Sequence, residues 1–156
     1  MLEIAIPGAG PLRLSYLVAD YNGTLAQDGA LLPDVAETLR TLAADLEIHV
    51  LTADTFGRAR AELAGLPCRV VILGPGAQDR AKEDYLRALD AEHCVAIGNG
   101  RNDRLMLAAA ALGIVVVQGE GADVQTLLAA DVVVPDILTA LGLLQAPQRL
   151  VATRRT

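Results

Sequence analysis

Short apolar runs alternate with helix-like segments along almost the whole chain, and few architectures accept such a pattern. Ile4 to Ile6 and Leu12 to Val18 read as strands around a Pro-Gly-Ala-Gly-Pro turn. Pro33 to Leu46 carries Val35, Leu39, Leu42 and Leu46 on one helical stripe, and Pro33 suits a first turn. Ile48 to Leu51, Arg69 to Leu73, Cys94 to Ile97, Ile114 to Val117 and Val132 to Val134 read as further strands. Helices are predicted between them at Thr55 to Leu66, Gln78 to Leu89, Asp103 to Leu112 and Asp123 to Ala130, with a last one at Ile137 to Leu144. Continuously apolar strands separated by amphipathic helices form βαβ units and a parallel sheet buried on both faces. The expected fold class is therefore α/β, a three-layer α/β/α sandwich. It forms one domain over residues 1–156, with a β-hairpin extension at about residues 1–18.

Composition narrows the function classes. Hydrophobic residues make up 53% of the chain and charged residues 21%, which suits a globular core rather than disorder. The net charge of −6 opposes a broad nucleic-acid surface, which needs a basic face to displace counterions. The one basic cluster, Arg154 and Arg155, reads as a solvated tail. No apolar run reaches the roughly 18 residues of a membrane span, and no basic n-region opens the chain. Cys68 and Cys94 each stand at the start of a strand and read as free thiols in a cytoplasmic protein. Two unclustered Cys and two His do not make a zinc site.

In a parallel sheet the ligand site lies beyond the C-terminal ends of the strands. The first central strand ends in Asp20-Tyr21-Asn22-Gly23-Thr24, the second in Leu51-Thr52-Ala53-Asp54, the fourth in Gly98-Asn99-Gly100-Arg101-Asn102-Asp103. Carboxylate, hydroxyl and amide groups can thus converge on one point above the sheet. Lys82, on the helix after the third strand, is the only lysine, against twelve arginines. A chain that uses Arg for its surface cations and keeps one Lys suggests a place that needs a compact ammonium rather than a planar fork. Thr52 suits a helix N-cap as well as a ligand contact.

Taken together, these tips resemble the four motifs of the haloacid dehalogenase (HAD) superfamily. Val18-Ala19-Asp20-Tyr21-Asn22-Gly23-Thr24-Leu25 is similar to the first motif, Thr52 to the second, Lys82 to the third, and Gly98 to Asp103 to the fourth. Leu51 to Leu66 and Ile97 to Ile137 resemble the phosphorylation domain of P-type ATPases, and the resemblance spans roughly residues 12 to 145. It implies a Rossmannoid sheet and an aspartate nucleophile, Asp20, that forms an aspartyl-phosphate. It also implies Mg²⁺ held by Asp20, the Asn22 carbonyl, and Asn99 or Asp103. Gly23, Thr52, Ala53 and Lys82 would bind the phosphoryl group, and Asp20, Asn22, Thr52 and Lys82 occupy the catalytic positions.

Two positions depart from the superfamily's pattern. Its hydrolases place a second Asp two residues after the nucleophile as general acid and base; here Asn22 stands there. Its fourth motif begins Gly-Asp; here it is Gly98-Asn99, one negative charge fewer beside the metal. P-type ATPases also lack the second Asp and still form a phospho-aspartate. The expectation is a Mg²⁺-dependent phosphatase or phosphotransferase, slowed by Asn22, acting on a small-molecule or macromolecular phosphate. The alternative is a phosphoryl-binding regulator on the same fold. The segments from Thr24 to Pro33 and from Leu73 to Gln78 are too short for a cap domain, and the room for a pump's nucleotide domain is absent. An uncapped cleft invites cover by a second copy. Leu138, Leu141 and Leu144 of the last helix are candidates for that contact, unless they pack on the sheet.

Overall fold

The computed structural model describes residues 1–156. Six parallel strands form its centre: β3 (Tyr16–Asp20), β6 (Glu47–Thr52), β7 (Arg69–Ile72), β8 (Cys94–Gly98), β9 (Leu112–Val116) and β10 (Val132–Val134). Ahead of them, β1 (Leu2–Ile6) and β2 (Gly10–Leu14) form an antiparallel hairpin. A second small hairpin, β4 (Ala26–Gln27) and β5 (Ala30–Leu31), turns at Asp28-Gly29, both with positive φ. Such a turn matches the right-handed twist of flanking strands. The helices are α1 (Val35–Leu42), α2 (Arg58–Glu62), α3 (Gln78–Leu89), α4 (Arg104–Ala109), α5 (Val124–Ala129), α6 (Ile137–Gln145) and α7 (Pro147–Arg154). None is long and apolar enough to cross a membrane.

Strand order across the sheet is β10-β9-β8-β3-β6-β7. The order reverses between β3 and β8, and ligands of open α/β sheets bind at such a switch point. Period-2 alternation divides each strand between two cores. Leu17 and Ala19 of β3, Ile48 and Val50 of β6, and Val95 and Ile97 of β8 join a core of 29 buried residues with the β1–β2 hairpin, α1, α2, α6 and α7. Val18, Leu51, Cys94 and Ala96 face the other way, against Leu86 of α3 and Met106 and Leu107 of α4. That layering is the α/β/α sandwich of the HAD type, with no cap domain in either place where one could be inserted.

Several boundaries fall elsewhere than the sequence predicts. The expected strand from Leu12 to Val18 is two strands. At Ser15 the chain leaves the hairpin and enters the sheet, its N–H donating to His93 O and its carbonyl accepting from Glu47 N–H. The helix expected over Thr55 to Leu66 begins only at Arg58. Gly57 is left-handed (φ 70°), and the Asp54 carboxylate caps the turn by accepting from Ala59 N–H (2.7 Å) and Arg60 N–H (3.2 Å). Thr52 is therefore no helix N-cap. Arg154 is not a solvated tail residue: α7 seals Leu150 into the core and lays Arg154 against Asp131 at 3.2 Å. Leu141 and Leu144 are buried under the sheet and only Leu138 is exposed, so α6 offers no leucine face to a second copy.

Candidate active site

Asp20, Thr52 and Gly98 end three adjacent strands, and the register keeps those ends level: Asp20 lies opposite Leu51, and Ala19 opposite Ile97. Above them opens a cleft of about 730 Å³. Asp20, Asn22, Thr52, Ala53, Lys82 and Asn99 line it. Asp103 is close by but lies beneath the cleft floor, fully buried.

Lys82 arrives from the side. It and Leu86 are the buried positions of α3, one turn apart. Leu86 anchors the helix on the sheet, and the Lys82 stem carries its ammonium to the strand ends. Nζ donates to Asp20 Oδ1 at 2.7 Å, to Asp103 Oδ1 at 2.7 Å and to Asn102 Oδ1 at 3.3 Å. One buried cation thus serves two carboxylates. Burial, followed by the Asp103 charge, pushes the Asp20 carboxyl up to about 7, against the pull of Lys82. Burial alone would lower the Lys82 ammonium, but the two carboxylates outweigh it and hold it above its ordinary value.

Asp103 organises the fourth tip. Its Oδ2 accepts from the N–H groups of Asn99 (3.0 Å) and Gly100 (2.9 Å), closing the turn over Arg101–Asp103. A Cβ at position 98 would stand 2.5 Å from the Asp103 carboxyl carbon, so the strand must end in Gly98. With Oδ1 on Lys82 and Oδ2 on two amides, both Asp103 oxygens are engaged within the protein. Of the four expected metal-ligating residues, Asp20, Asn22 and Asn99 face the cleft, and all offer oxygen.

The loop after Asp20 is held from within and from outside. Thr24, Leu25 and Ala26 donate their N–H groups to Tyr21 O, and Gly23 N–H donates to Ala26 O. The Thr24 hydroxyl reaches Asp20 Oδ2 (3.4 Å) and Asn99 Oδ1 (3.3 Å). Gln118 Nε2 donates to the carbonyls of Gly23 (3.0 Å) and Thr24 (2.6 Å), while its Oε1 accepts from Ile137 N–H (3.0 Å) at the start of α6. Gly23 has φ 80°. Asn22 is exposed beside it. Thr52 Oγ1 accepts from Asp54 N–H at 3.2 Å.

Sequence reasoning named no role for Thr24, Gln118, Glu120, Asn102 or the rim residues Phe56 and Arg58. Gln118 and Glu120 follow β9, so the strand-end rule that found the other tips could have found them. Phe56, 95% exposed at the cleft mouth, had no sequence signal at all.

An oxygen-only donor set suits a hard divalent cation such as Mg²⁺. The fit is lean: no three His, Cys, Asp or Glu side chains form a ready cluster. A cation here would lean on amide and backbone oxygens.

No family model matches the chain. Solved structures share its fold at low identity. The 3-deoxy-D-manno-octulosonate 8-phosphate phosphatase of Moraxella catarrhalis, in complex with magnesium, phosphate and KDO, has a TM-score of 0.71 and 16% identity, with 90% of this chain and 92% of that one covered. The cobalt-bound deoxy-D-mannose-octulosonate 8-phosphate phosphatase of Haemophilus influenzae has a TM-score of 0.72 and 18% identity, over 92% and 94%. BT1666 of Bacteroides thetaiotaomicron, a HAD superfamily phosphatase, has 0.63 and 13%, over 95% and 98%. A nearer relative is the uncharacterized protein MJ0073 of Methanocaldococcus jannaschii, 46% identical over 84 residues, which are 51% of this chain and 90% of that protein. The chain, a domain of the HAD fold, therefore belongs to one family with the M. jannaschii protein.

Proposed function

We propose that this domain is a phosphoryl-transfer hydrolase of the HAD type that uses Mg²⁺ and takes the phosphoryl group onto Asp20. The observation that carries the reading is the buried Lys82 ammonium at 2.7 Å from both Asp20 and Asp103, placed at the switch point of the sheet. Such a site suits an anion brought against a carboxylate. In the first step an Asp20 oxygen bonds to phosphorus as the bond to the leaving oxygen breaks. Lys82 offsets charge on the incoming group, and the Thr52 hydroxyl at the cleft wall is suited to donate to a phosphoryl oxygen. Mg²⁺, when bound by Asp20, the Asn22 carbonyl and Asn99, would neutralise the phosphoryl oxygens. In the second step water displaces Asp20 from phosphorus.

Asn22 bears on that second step. A carboxamide cannot accept the water's proton, and general acid–base help is typically worth about 10²- to 10⁴-fold. The same substitution supports the second reading, a regulator that holds a phosphoryl group for long periods. P-type ATPases, which the stretches Leu51 to Leu66 and Ile97 to Ile137 resemble, also lack the second Asp, and that agrees with a slowly released phospho-aspartate. The uncapped cleft leaves room for a bulky substrate and does not name one.

Turnover of an aryl phosphate with Mg²⁺ tests the reading. Wild type should be slow, Asp20→Asn inactive, and Asn22→Asp faster than wild type by about 10²-fold or more. If Asn22→Asp binds Mg²⁺ and phosphate normally yet hydrolyses nothing, the regulator is the better account.

A further inference from the structure

Two residues that sequence motifs would fill with carboxylates, 22 and 99, are amides here, and one unassigned carboxylate lines the same cleft. Glu120 lies on the Gln118-Gly119-Glu120-Gly121 loop after β9 and lines the same cleft as Asp20, Asn22 and Asn99. A Cβ at Gly23 would collide with the Glu120 carboxylate, and would stand 2.7 and 2.9 Å from the Asn99 side-chain nitrogen and oxygen. The acid and the amide therefore share the space that a side chain at position 23 would occupy, next to the Asn22 backbone.

The loop that carries Glu120 is fixed at three points. Gln118 bonds the Gly23 and Thr24 carbonyls. Asn99 Nδ2 donates to Gly121 O at 3.1 Å, and Asp123 N–H donates to Asn99 O at 2.9 Å. Each of these ties joins the loop to a tip that the proposed function uses. Asp54, another acid of the cleft, is engaged elsewhere: its carboxylate caps the start of α2.

We propose that Glu120 supplies the carboxylate that Asn99 does not, completing the divalent-cation site through a metal-bound water. Magnesium keeps several of its waters, so a carboxylate one water away still lowers the energy of the bound ion. The inference rests on the proposed function only in assuming that this cleft binds a hard cation. It requires no turnover.

The test is cation binding by the whole protein, read by calorimetry with Mg²⁺ and by electron paramagnetic resonance with Mn²⁺. Glu120→Gln should weaken both by about 10- to 100-fold, the usual effect of losing an outer-shell partner. Adding Asn99→Asp to Glu120→Gln should recover most of the loss. Glu120 is exposed, so Glu120→Gln should keep the wild-type melting temperature. Unchanged affinity in Glu120→Gln, with binding abolished in Asp20→Ala, would overturn the role of Glu120 and leave the cation site standing. If wild type binds neither ion, the inference and the metal-dependent function fall together.

Discussion

Lys82 stands between two buried carboxylates, and one ammonium cannot neutralise both. Asp103 is also supported by two backbone amides; Asp20, at the cleft, is the member that gives way, and its carboxyl rises to about 7. A group whose folded value lies above its unfolded one binds extra protons in the native state. Its stabilising effect is complete below the unfolded value near 3.8 and is lost as pH rises through about 7. In EDTA, wild type should therefore lose stability relative to Asp20→Asn between about pH 4 and about pH 7, read as the difference in urea midpoints. Parallel midpoints would mean that Asp20 is ionised throughout. Lys82→Met removes the shared cation and should cost about 3–5 kcal/mol, the usual penalty for stranding buried charge. Lys82→Arg keeps the charge but needs more room than a fully buried ammonium leaves, and it should fail to bind beryllium fluoride. Lys82 was legible because it is the chain's single lysine. The partnership with Asp103 was not, because sequence shows that an acid is near a tip and not which way it points.

At the scale of elements, the long apolar strands were readable and the capping was not. Period-2 and period-3.6 patterns locate a buried segment, but ends depend on contacts made in space. The Asp54 carboxylate delays α2 by reaching five and six residues ahead. Polar Ser15 splits a run that looks continuous because two sheets meet there. α7 was missed although Pro147 marks its first turn and Leu150 its buried face. Gln118 connects elements far apart in sequence, joining the loop after Asp20 to the N-terminus of α6. Gln118→Ala leaves the Ile137 N–H and two loop carbonyls without that partner and should destabilise by about 1–3 kcal/mol. Thermal melting checks it, and an unchanged midpoint would show that water replaces the side chain at no cost.

For the whole molecule, the strand order β10-β9-β8-β3-β6-β7 explains why one cleft gathers residues from positions 20 to 120. The reversal between β3 and β8 separates the connections on either side and leaves the tips of both strands uncovered. A parallel sheet and a site at its C-terminal edge were legible from the alternation of elements. The cleft's rim was not, because Phe56 and Arg58 owe their place to a loop whose shape the local pattern does not encode. With no cap, the Asp20 carboxylate is open to small acyl phosphates. Phosphorylation of Asp20 can therefore be read from the intact mass of protein incubated with acetyl phosphate and Mg²⁺, followed by peptide mapping. One added phosphoryl group per chain is expected, located on Asp20, absent in Asp20→Asn and without Mg²⁺, and longer-lived in wild type than in Asn22→Asp. Modification at another residue, or an unmodified Asp20 under conditions where phosphate and Mg²⁺ bind, would contradict it.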